Sequence, residues 1–200
     1  MIEQKFNTLC NKFTNNRKII NILYQEILNY YSSENRYYHN LNHLTNIYSE
    51  LPILNDSIEF AIFYHDIIYD IKKKDNEYQS ALLCKKRLLD LNVDEEVIKE
   101  ATKLVIETKN HNPSSLNNAL FLDADLSILG KDYKTYQHYT KMIRLEYSLF
   151  SDYEYYEGRK KVLEKFLKKD RIYKSNYFYR KYELQARKNI LKELYQIKSF

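Results

Sequence analysis

Four short stretches of this sequence place metal-capable side chains on faces whose periodicity marks them as core. In Arg36-Tyr-Tyr-His39-Asn40-Leu-Asn-His43-Leu44 the two histidines are four residues apart, a spacing that on a helix puts both on one face, one turn apart. In Phe60-Ala-Ile-Phe-Tyr-His65-Asp66-Ile-Ile-Tyr-Asp70 an adjacent His-Asp pair interrupts an apolar run. Ile58, Ile62, His65 and Tyr69 share one helical stripe, which predicts that His65 faces inward. Asp66 then points about 100° around the axis, close enough for both to reach one ion. Val97, Ala101, Leu104, Thr108 and His111 form another stripe, so His111 extends a buried face as its helix ends. In Phe121-Leu-Asp123-Ala-Asp125-Leu-Ser127 two acids lie inside an apolar segment. An ionised carboxylate is costly to bury unless it is paired or bound to a cation. Imidazoles beside carboxylates make a mixed nitrogen and oxygen site suited to Fe, Mn, Ni, Co or Zn, and acceptable to Mg at its oxygens.

The elements that must position these residues read as helices almost from end to end. Ile19, Ile22, Leu23, Ile27 and Tyr30 predict one amphipathic stripe, ended near Ser32-Ser33. A second helix is expected from Tyr38 to Leu51, stopped by Pro52, and a third from Ser57 to about Asp70 with Asp56 as its cap. Lys72 to Asn76 reads as a polar loop. Helices follow over Glu77–Leu91 and Asp94–Thr108, then a loop from Asn110 to Asn118. A short apolar piece, Ala119–Leu129, ends at Gly130, and long helices are expected over Tyr133–Phe150, Tyr153–Lys169 and Phe178–Lys198. The expectation is one all-α domain over 1–200, without repeats or linkers.

Composition removes several function classes. With Gly130 and Gly158 as the only glycines, neither a P-loop nor a G-x-G-x-x-G fingerprint can be present. Two prolines and two glycines also argue against a many-stranded sandwich or barrel. Tyr, Asn, Lys and Ile are abundant and have A/T-rich codons, so their number reads as genome bias rather than function. The formal charge of +5 suits an anionic small molecule as well as a nucleic acid. The basic runs Arg159-Lys-Lys161 and Lys168-Lys-Asp-Arg171 are interleaved with acids and read as a solvated helix face, which disfavours nucleic-acid binding. Tyrosines at 147–156 and 173–182 read as packing rather than a base-stacking platform, compatible with a homodimer. His138 lies outside every motif and is expected on the surface. Cys10 and Cys84, two isolated thiols, fit a reducing compartment. MIEQKFNTLCNKF lacks the apolar core of a signal peptide, and no run reaches the roughly eighteen apolar residues of a membrane span. The expectation is a cytoplasmic protein with no membrane association.

The ordered set His43, His65-Asp66, Asp125 resembles the H…HD…D signature of the HD-domain superfamily of metal-dependent phosphohydrolases. Tyr38-His-Asn-Leu-Asn-His43 is similar to the YHNxxH string of its cyclic-nucleotide phosphodiesterase branch, and Ala124-Asp-Leu-Ser127 to the segment bearing that branch's last metal-binding Asp. Over nearly its whole length the chain resembles a bacterial family described as predicted metal-dependent HD phosphohydrolases. The matching strings are Arg36–His43, His65–Asp70, Asp75–Ala81, Thr108–His111, Asp123–Gly130, Arg159–Leu167 and Glu183–Asn189.

The resemblance implies an HD-domain helical bundle with extra N- and C-terminal helices. In it His43, His65, Asp66 and Asp125 hold one ion and His39 protonates the leaving oxygen. Asp70 falls where the ppGpp-hydrolysing branch has the second acid of a Glu-Asp pair, but Tyr69 replaces the first. Tyr69 also stands where the phosphodiesterase branch has the second histidine of HDxxH. A divalent ion at this site would lower the pKa of bound water and polarise a phosphoryl oxygen. Asp125 or Asp70 can then orient the water, while Arg36, Lys109 or Lys72 can neutralise phosphate charge. His111 reads either as a substrate contact or as a hydrogen-bonded helix end. Asp123 fits a helix cap, or an acid that supports the ligands from behind, better than a ligand, and Glu77 with Ser80 fits a cap better than a substrate contact. The expected activity is hydrolysis of a phosphate ester or anhydride of a nucleotide or small phosphorylated metabolite. The alternative is a non-catalytic module that senses a nucleotide in the same pocket.

Overall fold

The computed structural model describes residues 2–197, and within them the fold is all-α, as expected. Ten α-helices and one short 3-10 segment form two compact units, one up to Ser114 and one from Ser115 onward.

The first unit holds α1 (Ile2–Cys10), α2 (Arg17–Tyr31), α3 (Leu41–Glu50), α4 (Asp56–Tyr64), α5 (Asn76–Asp90) and α6 (Glu95–Glu107). α4 is its centre and packs against α1, α3, α5 and α6. Seven of its nine residues, from Ser57 to Tyr64 with Glu59 excepted, belong to the core, which is why α4 carries no amphipathic stripe. A helix buried on all sides delivers whatever follows it into the interior, and His65-Asp66 follow it. Asn55 caps its start, accepting the Ile58 N–H at 2.8 Å. The cap expected at Asp56 thus falls one residue earlier, and Asp56 instead pairs with Lys12 at 2.6 Å.

Three sequence expectations in this unit are corrected. The stripe of α2 is rotated: Ile20, Leu23, Tyr24, Ile27 and Tyr31 are buried, whereas Ile22 is 56% exposed. The second helix starts at Leu41, not Tyr38, because Asn40 adopts an extended backbone and caps it through the Asn42 N–H at 2.9 Å. The third helix stops at Tyr64 rather than near Asp70. Its ladder ends because the Asp66 and Ile67 carbonyls accept from the Arg36 guanidinium, while the Ile68 N–H donates to Ser80 Oγ. Tertiary partners have displaced the next helical turn. Both thiols are fully buried, and burial raises both, Cys10 to about 12, which removes them from nucleophilic chemistry near neutral pH.

The second unit holds α7 (Leu116–Asp125), a 3-10 segment (Leu126–Gly130), α8 (Tyr133–Glu146), α9 (Asp152–Lys168) and α10 (Asn176–Ile197). Lys198, the last residue expected in the final helix, lies outside the described residues. Ser151 and Glu154 form a reciprocal capping box that starts α9. α10 packs on the 3-10 segment so closely that a Cβ at Gly130 would fall well inside contact distance of Tyr182 Cβ, so glycine is required there by approach.

The C-terminal strings do structural work in this unit. Glu183 accepts the N–H groups of Ile172 and Tyr173, at 3.0 to 3.1 Å, and pairs with Arg187 at 2.8 Å. Asn189 Nδ2 donates to the Leu129 and Lys131 carbonyls, each at 2.8 Å. Arg159, read from its neighbours as solvated, is 9% exposed and forms a forked pair with Glu193 at 2.8 and 3.1 Å. Tyr155, Tyr173 and Tyr182 are buried, as the packing reading expects, while Tyr153 is 79% exposed. His138 is exposed, also as expected. No helix among the described residues is long and apolar enough to cross a membrane.

Candidate metal centre

α3 and the end of α4 bring His43, His65 and Asp66 together. His43 lies in the first turn of α3, and the Asn40 cap that starts this helix therefore fixes its azimuth. His65 is the residue after α4, with its N–H still bonded to the Ala61 carbonyl at 2.9 Å. Both imidazoles are buried, at 3% and 1% exposure, while the Asp66 side chain retains 20%.

His43 Nε2 and His65 Nε2 are 3.2 Å apart. Asp66 Oδ2 is 3.1 Å from the His65 nitrogen and 3.9 Å from that of His43. The point equidistant from these three atoms lies about 2.0 Å from each, the separation at which zinc and its neighbours in the first transition row bind imidazole and carboxylate. His65 Nδ1 lies 3.0 Å from the Ile62 carbonyl. A carbonyl can only accept, so Nδ1 carries the proton and the Nε2 lone pair faces the shared point. The three donors thus fit a divalent ion in spacing and chemistry, and His65 also in tautomer.

His39 sits in the turn before α3, so the argument from two histidines one helical turn apart does not hold. It nevertheless comes close by another route. Its ring lies 5.7 Å from that of His43 and 4.4 Å from that of Tyr69, and its Nε2 is 3.9 Å from Asp66 Oδ2. Tyr38 spans the two histidines, with its ring centroid 5.0 Å from each.

Other predicted residues take different places. Arg36 is 9% exposed and donates to the carbonyls of His39, Asp66 and Ile67, so its guanidinium serves the backbone of the site rather than open space for a phosphate. Asp70 does not join the group of three; its Oδ1 accepts the Lys72 N–H at 2.9 Å and closes the loop. Lys109 Nζ donates to the Lys74 carbonyl at 2.5 Å and lies 3.7 Å from Glu77, on the loop side of α5. His111 ends the turn after α6 in the left-handed region, φ 49°, half-buried rather than continuing the core stripe. In the second unit, Asp123 lies inside α7 rather than at a helix start. It is buried and accepts the Lys174 and Ser175 N–H groups at 2.8 and 2.7 Å, while Ser175 Oγ caps α10 through the Phe178 N–H, so the expected cap role is corrected to a tie between α7 and the turn before α10. Asp125 is the last residue of α7, and its assignment as a ligand rests on the resemblance.

Two contributors to the site went unrecognised in the sequence. Asn76 exchanges two hydrogen bonds with the backbone of Asp70, at 3.1 and 2.8 Å, and folds the loop after Asp66 onto α5. Its position inside the Asp75-Asn-Glu77 string was the available signal. Tyr31, whose ring lies under the Arg36 guanidinium at 4.8 Å, had no local signal beyond its place in an amphipathic helix.

Compared with models of protein families, with curated proteins and with solved structures, the chain matches none.

Proposed function

We propose that this protein is a metal-dependent phosphohydrolase of the HD type, acting on a phosphate ester or anhydride of a nucleotide or another small phosphorylated metabolite. The observation that carries the proposal is the convergence of His43 Nε2, His65 Nε2 and Asp66 Oδ2 on one point at bonding distance. The ordered motifs that surround these residues support the same reading.

His43, His65 and Asp66 would hold the ion, which supplies Lewis acidity to a phosphoryl oxygen and eases attack by water near neutral pH. The burial of both imidazoles keeps bulk water from competing for the donors. His39, at the rim beside Asp66, would pass a proton to the departing oxygen. Tyr69, ring to ring with His39, fixes the imidazole plane for that transfer.

One observation favours the non-catalytic reading: Asp70 accepts the Lys72 N–H within its own loop, which leaves His39 as the acid–base candidate beside the three donors among the described residues. The test is turnover of a nucleotide panel and of bis(p-nitrophenyl) phosphate with Mn, Fe(II), Co, Ni, Zn and Mg in turn. The proposal expects ion-dependent hydrolysis abolished by chelation. Nucleotide binding without turnover under every ion would establish the sensing module instead.

A further inference from the structure

Arg36 is a buried cation whose contacts among the described residues are carbonyls and ring faces, with no carboxylate. Nη1 is shared between the His39 carbonyl at 3.2 Å and the Asp66 carbonyl at 2.5 Å, and Nη2 takes the Ile67 carbonyl at 2.7 Å. Tyr31 and Tyr69 lie against the guanidinium at 4.8 and 5.4 Å, and Tyr69 in turn packs on His39. A permanently charged, planar fork desolvated in this way is held in one geometry, and it holds its acceptors equally. The acceptors belong to two chain segments that nothing in the local sequence joins: the turn carrying His39 and the turn carrying Asp66.

We infer that Arg36 is a positioning residue that sets the proton-donating His39 and the metal ligand Asp66 as one unit, a role that rests on the metal-site reading above. Lysine cannot replace it. An ammonium is a point donor on a flexible stem and cannot hold adjacent carbonyls with an in-plane fork. Polar groups that orient metal ligands are worth about 10- to 100-fold in affinity, and Arg36 is expected to fall in that range.

The experiment is Mn(II) and Co(II) titration of wild type, Arg36→Lys and Arg36→Gly, with circular dichroism as the check on folding. Arg36→Lys is expected to keep its helical signal and lose about tenfold or more in affinity for both ions. In Arg36→Gly, guanidinium chloride below its denaturing range should restore affinity where sodium chloride of equal ionic strength does not. Should the glycine variant fail to fold, Arg36→Lys decides alone. Wild-type affinity in a folded Arg36→Lys would overturn this inference and leave the metal site standing. Absence of ion binding by wild type would overturn both.

Discussion

His39→Ala is expected to lower kcat by about 10² to 10⁴, the usual contribution of a positioned general acid or base, while the bound metal stays at its wild-type level. The two effects separate because His39 stands beside the three donors without joining them. Its Nε2 is 3.9 Å from Asp66 Oδ2, and its ring is held from the other side by Tyr69 at 4.4 Å. Removing it leaves the 3.2 and 3.1 Å separations among the three candidate donors without a structural reason to change. In transition-state terms the loss amounts to roughly 3 to 5 kcal/mol. KM should move little, because a proton transferred only in the transition state contributes nothing to ground-state binding. A kcat within a factor of about three of wild type would remove the proton-transfer role. Loss of the ion together with activity would make His39 a ligand or its support.

The largest effect on stability is expected from Arg159→Met in the second unit. Glu193 accepts both the Arg159 fork and the hydroxyl of Tyr136, and the Arg159 guanidinium also donates to Tyr139 Oη at 3.2 Å. The side chains of the pair are 8% and 11% exposed. Removing one member leaves the Glu193 carboxylate buried opposite a thioether, a loss of about 3 to 5 kcal/mol in unfolding free energy. The double variant Arg159→Met, Glu193→Leu should recover most of it, since the cost is the orphaned charge and not the absent pair. Denaturant unfolding of the three proteins measures this. A single-variant cost under about 1 kcal/mol would mean that water reaches Glu193 and that the pair behaves as a surface one.

The cluster of His43, His65 and Asp66 was legible in the sequence because histidine and aspartate are conspicuous inside apolar segments, where only pairing or coordination makes them tolerable. His65 could be placed inward because it shares a helical stripe with Ile58 and Ile62, and α4 delivers it there. What the sequence hid depends on partners far along the chain. The end of α4 is decided by Arg36, 30 and 31 residues before the carbonyls it takes, and by Ser80, 12 residues after the amide it receives. No window centred on Asp66 contains the first of these. Arg159 looked solvated beside two lysines, whereas the carboxylate that buries it lies 34 residues on. The phase of α2 failed differently: Ile19 and Ile22 offered a second apolar stripe of the same period, and only packing chooses between two such stripes.

The most direct test of the central claim is the metal content of purified protein by elemental mass spectrometry, with the His65→Ala, Asp66→Ala double variant as its control. His65 and Asp66 supply two of the three donors, and either separation to His43 fits a shared ion. About one equivalent of Mn, Fe, Co, Ni or Zn in wild type, absent from the double variant, is the predicted result. A wild-type chain that keeps its helical signal yet takes up none of these ions, even after reconstitution with each, would contradict the metal centre and the hydrolase built on it.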